Sequence, residues 1–192
     1  DNTPPQIPDF GNKKINQFSI DMIKTVSSFL FYRHLKAEGF QTRTIGQMLY
    51  EMAEIYYSHL NPIVKYIMRR QLLSAKRIKK AKQKFEERKK SVDPEDYVGE
   101  FIEGDNENLL CGLNYTNCPG LNFLKRQNAL EIAPYLCLCD YPMFRGLNIG
   151  FNRDQNLAIG GSMCTFRLYR NYPTQRGWPP EEVDEYKNFK FS

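Results

Sequence analysis

The chain has 192 residues, enough to bury the core of one compact domain and short for two. Hydrophobic residues make up 41% and aromatics 14%, which excludes a disordered polymer, and no apolar run approaches the ~20 residues of a membrane-spanning helix. The net charge of +5 is concentrated in one segment, so its position decides its meaning.

Residues 1–16 read as an extended, Pro-rich and polar segment without the basic and apolar regions of a signal peptide. Phe18, Met22, Ile23, Val26, Phe29, Leu30 and Phe31 then recur at helical spacing, with Glu38-Gly39 as a stop. Thr42 to His59 repeats the pattern through Ile45, Leu49, Met52, Ala53 and Tyr56, and Asn61-Pro62 ends it. Ile63 to about Lys90 predicts one third helix that leaves the core towards its end, closed by Ser91 to Pro94. Residues 17–94 are therefore expected to form a helical part.

Beyond Pro94 the period changes. Tyr97 to Ile102 and Leu109 to Tyr115, joined by Gly104-Asp105-Asn106, predict a β-hairpin. Pro119 to Gln127 and Ala129 to Phe144 read as helices, and Asn148–Phe151, Asn156–Ile159 and Met163–Tyr169 as short strands around Gly160-Gly161. The fold expected is α+β, with N-terminal helices followed by a mixed or antiparallel sheet that has helices packed on it. Residues 95–172 form this second part, and 173–192 a C-terminal tail lying on the surface.

The five cysteines, Cys111, Cys118, Cys137, Cys139 and Cys164, all lie in the second half and read as free thiols in a reducing cytoplasm. Four of them could converge on zinc, but the spacing is not that of paired Cys-x-x-Cys knuckles, so no metal and no cofactor is expected. Gly160-Gly161 lacks the pattern of a phosphate loop and reads as a turn.

Three stretches stand out: Cys118-Pro-Gly-Leu-Asn-Phe-Leu-Lys-Arg; Glu131-Ile-Ala-Pro-Tyr-Leu-Cys137-Leu-Cys139-Asp140; and Arg153 through Leu157-Ala-Ile-Gly160-Gly161 to Cys164-Thr165-Phe166-Arg167. Over residues 114–170 they resemble the L-2-amino-thiazoline-4-carboxylic acid hydrolase family. Cys118, Glu131, Pro134, Cys137, Asp140, Arg153, Gly160, Gly161, Cys164, Phe166 and Arg167 occupy matching positions. Thr165 departs from the pattern, since the family carries Asp after the last cysteine.

The resemblance implies a small-molecule substrate and cysteine-dependent opening of a carboxylated cyclic amidine, in which an aminothiazoline ring becomes an N-carbamoyl cysteine. Such a reaction needs a nucleophile, an acid for the departing sulfur or nitrogen, and a cation for the carboxylate. A cysteine beside arginine or at a helix start can have its pKa lowered enough to be largely ionised. Cys164 and Cys137 are the nucleophile candidates, with Cys164 first because Arg167 and the glycine turn lie near it; each also reads as a small buried apolar residue. Asp140, three residues after Cys137, is a candidate acid, base or orienter, and alternatively a cap or ion-pair partner. Arg153 and Arg167 are candidates for a bidentate grip on the carboxylate, with Cys118 beside them in the substrate set. Glu131 reads as a stabiliser of a helix start.

Lys and Arg crowd residues 65–90, against only Glu86 and Glu87. The segment reads as a solvated helical face or as a weak contact for an anionic surface. It lacks the aromatic interleaving and reading motifs of a specific nucleic-acid binder. Thr165 favours a changed substrate or a second class of function, a non-catalytic small-ligand binding or sensor module that keeps the fold, whereas Cys137, Asp140, Arg153 and Cys164 together favour the hydrolase.

Overall fold

A computed structural model describes residues 17–93, 95–105 and 107–191. The expectations for residues 1–16, for Pro94 as a stop and for Asn106 in the hairpin turn lie outside them. The fold is α+β, as the change of period indicates. Helices α1 (Gln17–Ala37) and α2 (Thr42–Ser58) come first. Met22, Val26, Phe29 and Tyr32 give α1 one apolar stripe, which packs with Ile45, Leu49 and Tyr50 of α2.

The basic segment is two helices, not one: α3 (Pro62–Leu73) and α4 (Ala75–Arg88). Ser74 between them is extended, and its hydroxyl accepts from the Arg77 amide at 3.3 Å, an N-cap that starts α4 afresh. Nor does the end of this segment leave the core. Phe85 near the end of α4 is buried in a small cluster with Phe101 and Cys111, whereas α3 has no fully buried residue.

The hairpin forms as β1 (Val98–Glu103) and β2 (Leu109–Asn117), and the Asp105 carboxylate accepts from the amides of Glu107, Asn108 and Leu109 at its turn. Helix α5 (Pro119–Arg126) follows. The single helix expected over 129–144 is broken into a 3-10 turn (Leu130–Ile132), α6 (Ala133–Leu138) and α7 (Asp140–Gly146). Prolines at the starts of these short helices cannot donate to a preceding turn, which favours separate starts. Strand β3 (Gly150–Asn152) and strand β4 (Cys164–Tyr169) complete a four-stranded antiparallel sheet in the order β1-β2-β4-β3. The strand expected at Asn156–Ile159 is instead a 3-10 turn: the Asn156 side chain caps the Ala158 amide, and Gly160 closes the turn at φ 90, a conformation glycine adopts without strain.

Alternation along β4 assigns its two faces. Cys164 pairs with Tyr115 and Phe166 with Leu113, facing the helices, so Thr165 and Arg167 point to the opposite side. On the helical side Phe151 and Phe166 meet each other at 5.3 Å, and Phe151 stacks on Phe144 of α7 at 4.6 Å.

The segment after Pro173 does not lie on the surface as a tail. Val183 and Tyr186 are fully buried, Thr174 bonds the Phe151 amide and the Ile149 carbonyl, and the Gly177 amide donates to Tyr50. Its aromatic residues are the reason, since Trp178, Tyr186, Phe189 and Phe191 offer apolar area worth burying against α2 and α6. Among the described residues no helix is long and apolar enough to cross a membrane.

Candidate active site

The site grows around Arg153, which follows β3 and whose side chain is 1% exposed. Its Nε and Nη2 donate to the two carboxylate oxygens of Glu185 at 2.8 Å, Nη1 to Asp140 Oδ2 at 2.8 Å, and Nη2 also to the Cys137 carbonyl at 2.9 Å. Three aromatic rings pack around the guanidinium: Phe166, Phe151 and Tyr141, with centroids at 5.2, 5.6 and 5.8 Å. The Glu185 side chain has no exposure, so this is a buried ion pair in bidentate geometry. Arg153 is therefore committed to protein groups and does not offer the substrate grip expected from sequence. It holds α6, α7 and the C-terminal segment in register.

Asp140 opens α7 and remains 29% exposed at its side chain. Burial pushes its carboxyl up to about 6, Arg153 pulling the other way and Asp21 and Glu185 adding to the rise. A carboxyl that titrates near 6 can exchange a proton at neutral pH.

Cys118, Cys137 and Cys164 come into one neighbourhood with Asp140 and Arg153, each affecting the titration of its neighbours. Cys118 is the residue just before α5, Cys137 is at the end of α6, and Cys164 starts β4. All three thiols are raised rather than lowered. Burial dominates in each case; Arg153 pulls Cys137 and Cys164 downward without prevailing, because Glu185 and Asp140 already neutralise it. Cys164 is pushed up to about 11. It is 7% exposed, accepts from the Leu157 amide at 3.2 Å and faces Asn156 Oδ1 at 3.7 Å. Asn156 in turn donates to the Tyr186 hydroxyl, which donates to the Pro134 carbonyl. Cys118 and Cys137 are more open, each partly exposed. Any of these thiols needs a neighbouring base to become a thiolate near neutral pH.

Arg167 is not brought to this neighbourhood. It lies on the other face of the sheet, where its Nη1 donates to the carbonyl of Phe166. Glu131 ties α1 to α2 through Tyr32, Thr42 and Lys36 instead of serving a helix dipole. Among the described residues no three His, Cys, Asp or Glu side chains are placed to hold a metal ion.

Several contributors escaped the sequence. Glu185, Asn156 and Tyr186 are contributed by segments read as a surface tail and a strand. Helix α1 contributes Asp21 and Lys24, both felt electrostatically near Asp140. The Lys24 ammonium lies 3.5 Å from the Tyr57 hydroxyl; burial works to lower its pKa, and Tyr57, Asp21 and Asp140 outweigh that and leave it raised. Tyr97 and Tyr115 add a phenol wall next to Cys118. Only the Asp21-x-x-Lys24 spacing, opposite charges one turn apart in the first half of α1, hinted at this face.

Residues 22–168, most of the chain, match the family model described as L-2-amino-thiazoline-4-carboxylic acid hydrolase. The chain belongs to that family. No curated protein and no solved structure matches it. The match reaches back to α1 and so includes Lys24, well beyond the stretch in which the motifs lie. The departure of this hydrolase-family chain at Thr165 also finds its place. The Thr165 hydroxyl accepts from the amides of Asp154 and Gln155 at 2.9 and 3.0 Å on the sheet face away from Cys164. A carboxylate can accept the same two bonds, so this position holds a loop, and the exchange removes no group from the thiols' side.

Proposed function

We propose that this protein is a cysteine-dependent hydrolase that opens a small carboxylated cyclic amidine of the L-2-amino-thiazoline-4-carboxylate type. The observation that carries the reading is that one buried guanidinium joins the Cys137 backbone carbonyl to the Asp140 carboxylate and so fixes the two residues side by side, with Cys118 and Cys164 in the same electrostatic neighbourhood. Cys137 takes precedence over Cys164 as nucleophile because it is partly exposed, whereas the Cys164 sulfur is engaged by Leu157 and Asn156.

In this reading the Asp140 carboxylate takes the Cys137 proton, and the thiolate adds to the ring carbon that bears sulfur and two nitrogens. The ring C–S bond breaks, and the departing sulfur takes the proton back from Asp140. Water then adds to the same carbon and expels the Cys137 sulfur, one of its protons going to the former ring nitrogen and the other, through Asp140, to the departing Cys137 thiolate, which leaves an N-carbamoyl cysteine. Lys24, an accessible cation beside Asp140, pairs with the substrate carboxylate in place of the committed Arg153. Arg153 acts as a positioning residue. The free thiols suit a reducing cytoplasm.

The test is turnover of L-2-amino-thiazoline-4-carboxylate and related cyclic amidines by wild type, Cys137→Ala and Cys164→Ala at equal folded concentration. Loss of at least about a thousand-fold in kcat for Cys137→Ala, with Cys164→Ala retaining measurable turnover, is the expected result. The reverse order would make Cys164 the nucleophile. No ring opening by the wild type across the panel would end the hydrolase reading in favour of a binding module.

A further inference from the structure

Helix α3 is apolar on both sides. Its half-buried side packs Met68, Leu72 and Leu73 against the core with Lys65 and Arg69 beside them, while Ile63, Val64, Tyr66 and Ile67 face outward with Arg70. Ile63 is 69% exposed, Tyr66 62% and Ile67 47%, and the spacing 63, 66, 67, 70 is one continuous helical stripe. On the preceding helix Met52, Ile55 and Tyr56 are exposed at the same spacing. Scattered exposed apolar residues need no explanation, but a stripe on a helix with no fully buried residue does.

Charge selects the occupant. From Pro62 to Phe85 the chain has nine Lys and Arg and no Asp or Glu. Burial and the surrounding Arg88, Lys80 and Arg77 hold Lys84 below the ordinary lysine range, a sign of how densely positive α4 is. A second copy of the chain docked through α3 would bring two such segments together and repel. A surface that is apolar at its boundary and anionic above it satisfies both features: isoleucines and tyrosine enter the headgroup boundary while lysines and arginines reach lipid phosphates and carboxylates.

We infer that the α3–α4 segment is a peripheral docking surface for an anionic lipid bilayer, with Ile63, Tyr66 and Ile67 as the inserted stripe and the α4 bases as the electrostatic contact. This surface is separate from the thiol site and does not depend on the hydrolase reading.

The test is co-sedimentation of the full chain with vesicles of phosphatidylcholine alone and with about 30% phosphatidylserine, at low and high salt. The partner variants are Ile63→Asp/Ile67→Asp, whose side chains are exposed, and Lys79→Gln/Lys80→Gln, each checked by circular dichroism. Binding only to the anionic vesicles, weakened by salt and by about ten-fold or more in the aspartate variant, is expected. Absence of binding, or binding unchanged by the aspartates, overturns the inference. So does a dimer in sedimentation velocity that Ile67→Asp dissociates, which would give the stripe to a second copy. Binding of a DNA or RNA duplex that is as tight as vesicle binding and indifferent to the aspartates would likewise assign the surface to nucleic acid.

Discussion

Asp140 is held between burial, which favours its neutral acid, and Arg153, which favours its carboxylate; burial prevails and the group titrates near 6. The rise from 3.8 to about 6 corresponds to about 3 kcal/mol of preference for the protonated form in the fold. Because the folded value lies above the unfolded one, this group favours folding below about pH 4 and loses that contribution as pH rises to about 6. Asp140→Asn keeps a neutral side chain of the same shape. It is expected to be at least as stable as wild type at pH 7.5 and to lack this component of the pH dependence between 4 and 6 in urea titrations. If Asp140 is the base for Cys137, kcat/KM of the wild type falls below about pH 6 and the asparagine variant loses activity at every pH. Lost activity with retained stability separates a chemical role from a structural one, whereas stability lost at pH 7.5 would show that the Arg153 pair outweighs burial.

The elements are held by close approaches as much as by apolar stripes. Helix α2 crosses α6 at Gly46, where a Cβ would come within 2.4 Å of the Tyr135 ring, itself fully buried under Trp178. Gly46→Ala must push that ring, and with it Trp178 and Phe191, so a loss of about 1–3 kcal/mol by urea denaturation is expected. An unchanged midpoint would mean that α2 shifts freely against α6. The helix break at Ser74 belongs to this scale too. It lets α4 turn back to bury Phe85 against the β1–β2 hairpin, whereas one unbroken helix would have carried it into solvent.

Across the whole molecule one apolar cluster runs from Met22 on α1 to Tyr186 in the last segment, and Arg153 is the polar tie within it. Arg153→Met leaves the Glu185 carboxylate buried without its cation, and a loss of about 3–5 kcal/mol is expected, with loosening of the segment after Pro173 visible as early hydrogen exchange. Glu185→Gln within Arg153→Met is expected to restore part of that loss, since it removes the unpaired charge. No recovery in the double variant would place the cost in lost packing of the guanidinium against Phe151, Phe166 and Tyr141.

Periodicity alone determined the first two helices, the hairpin, β4 and the α+β class, because these elements bury a regular stripe that leaves its period in the sequence. Resemblance to the hydrolase family, carried by three short motifs, singled out Cys118, Cys137, Asp140, Arg153 and Cys164 as a group. What Arg153 does was not legible, because its partner Glu185 lies 32 residues away in a segment whose short 3-10 turns carry no period. The same holds for Lys24 and Asp21, ordinary surface residues in sequence that become neighbours of Asp140 only when α1 folds over the site. Tertiary structure also decided the state of the thiols. A cysteine near arginines in sequence looks activated, but in space the nearest guanidinium is already neutralised by two carboxylates, and burial keeps every candidate sulfur protonated until a base acts on it.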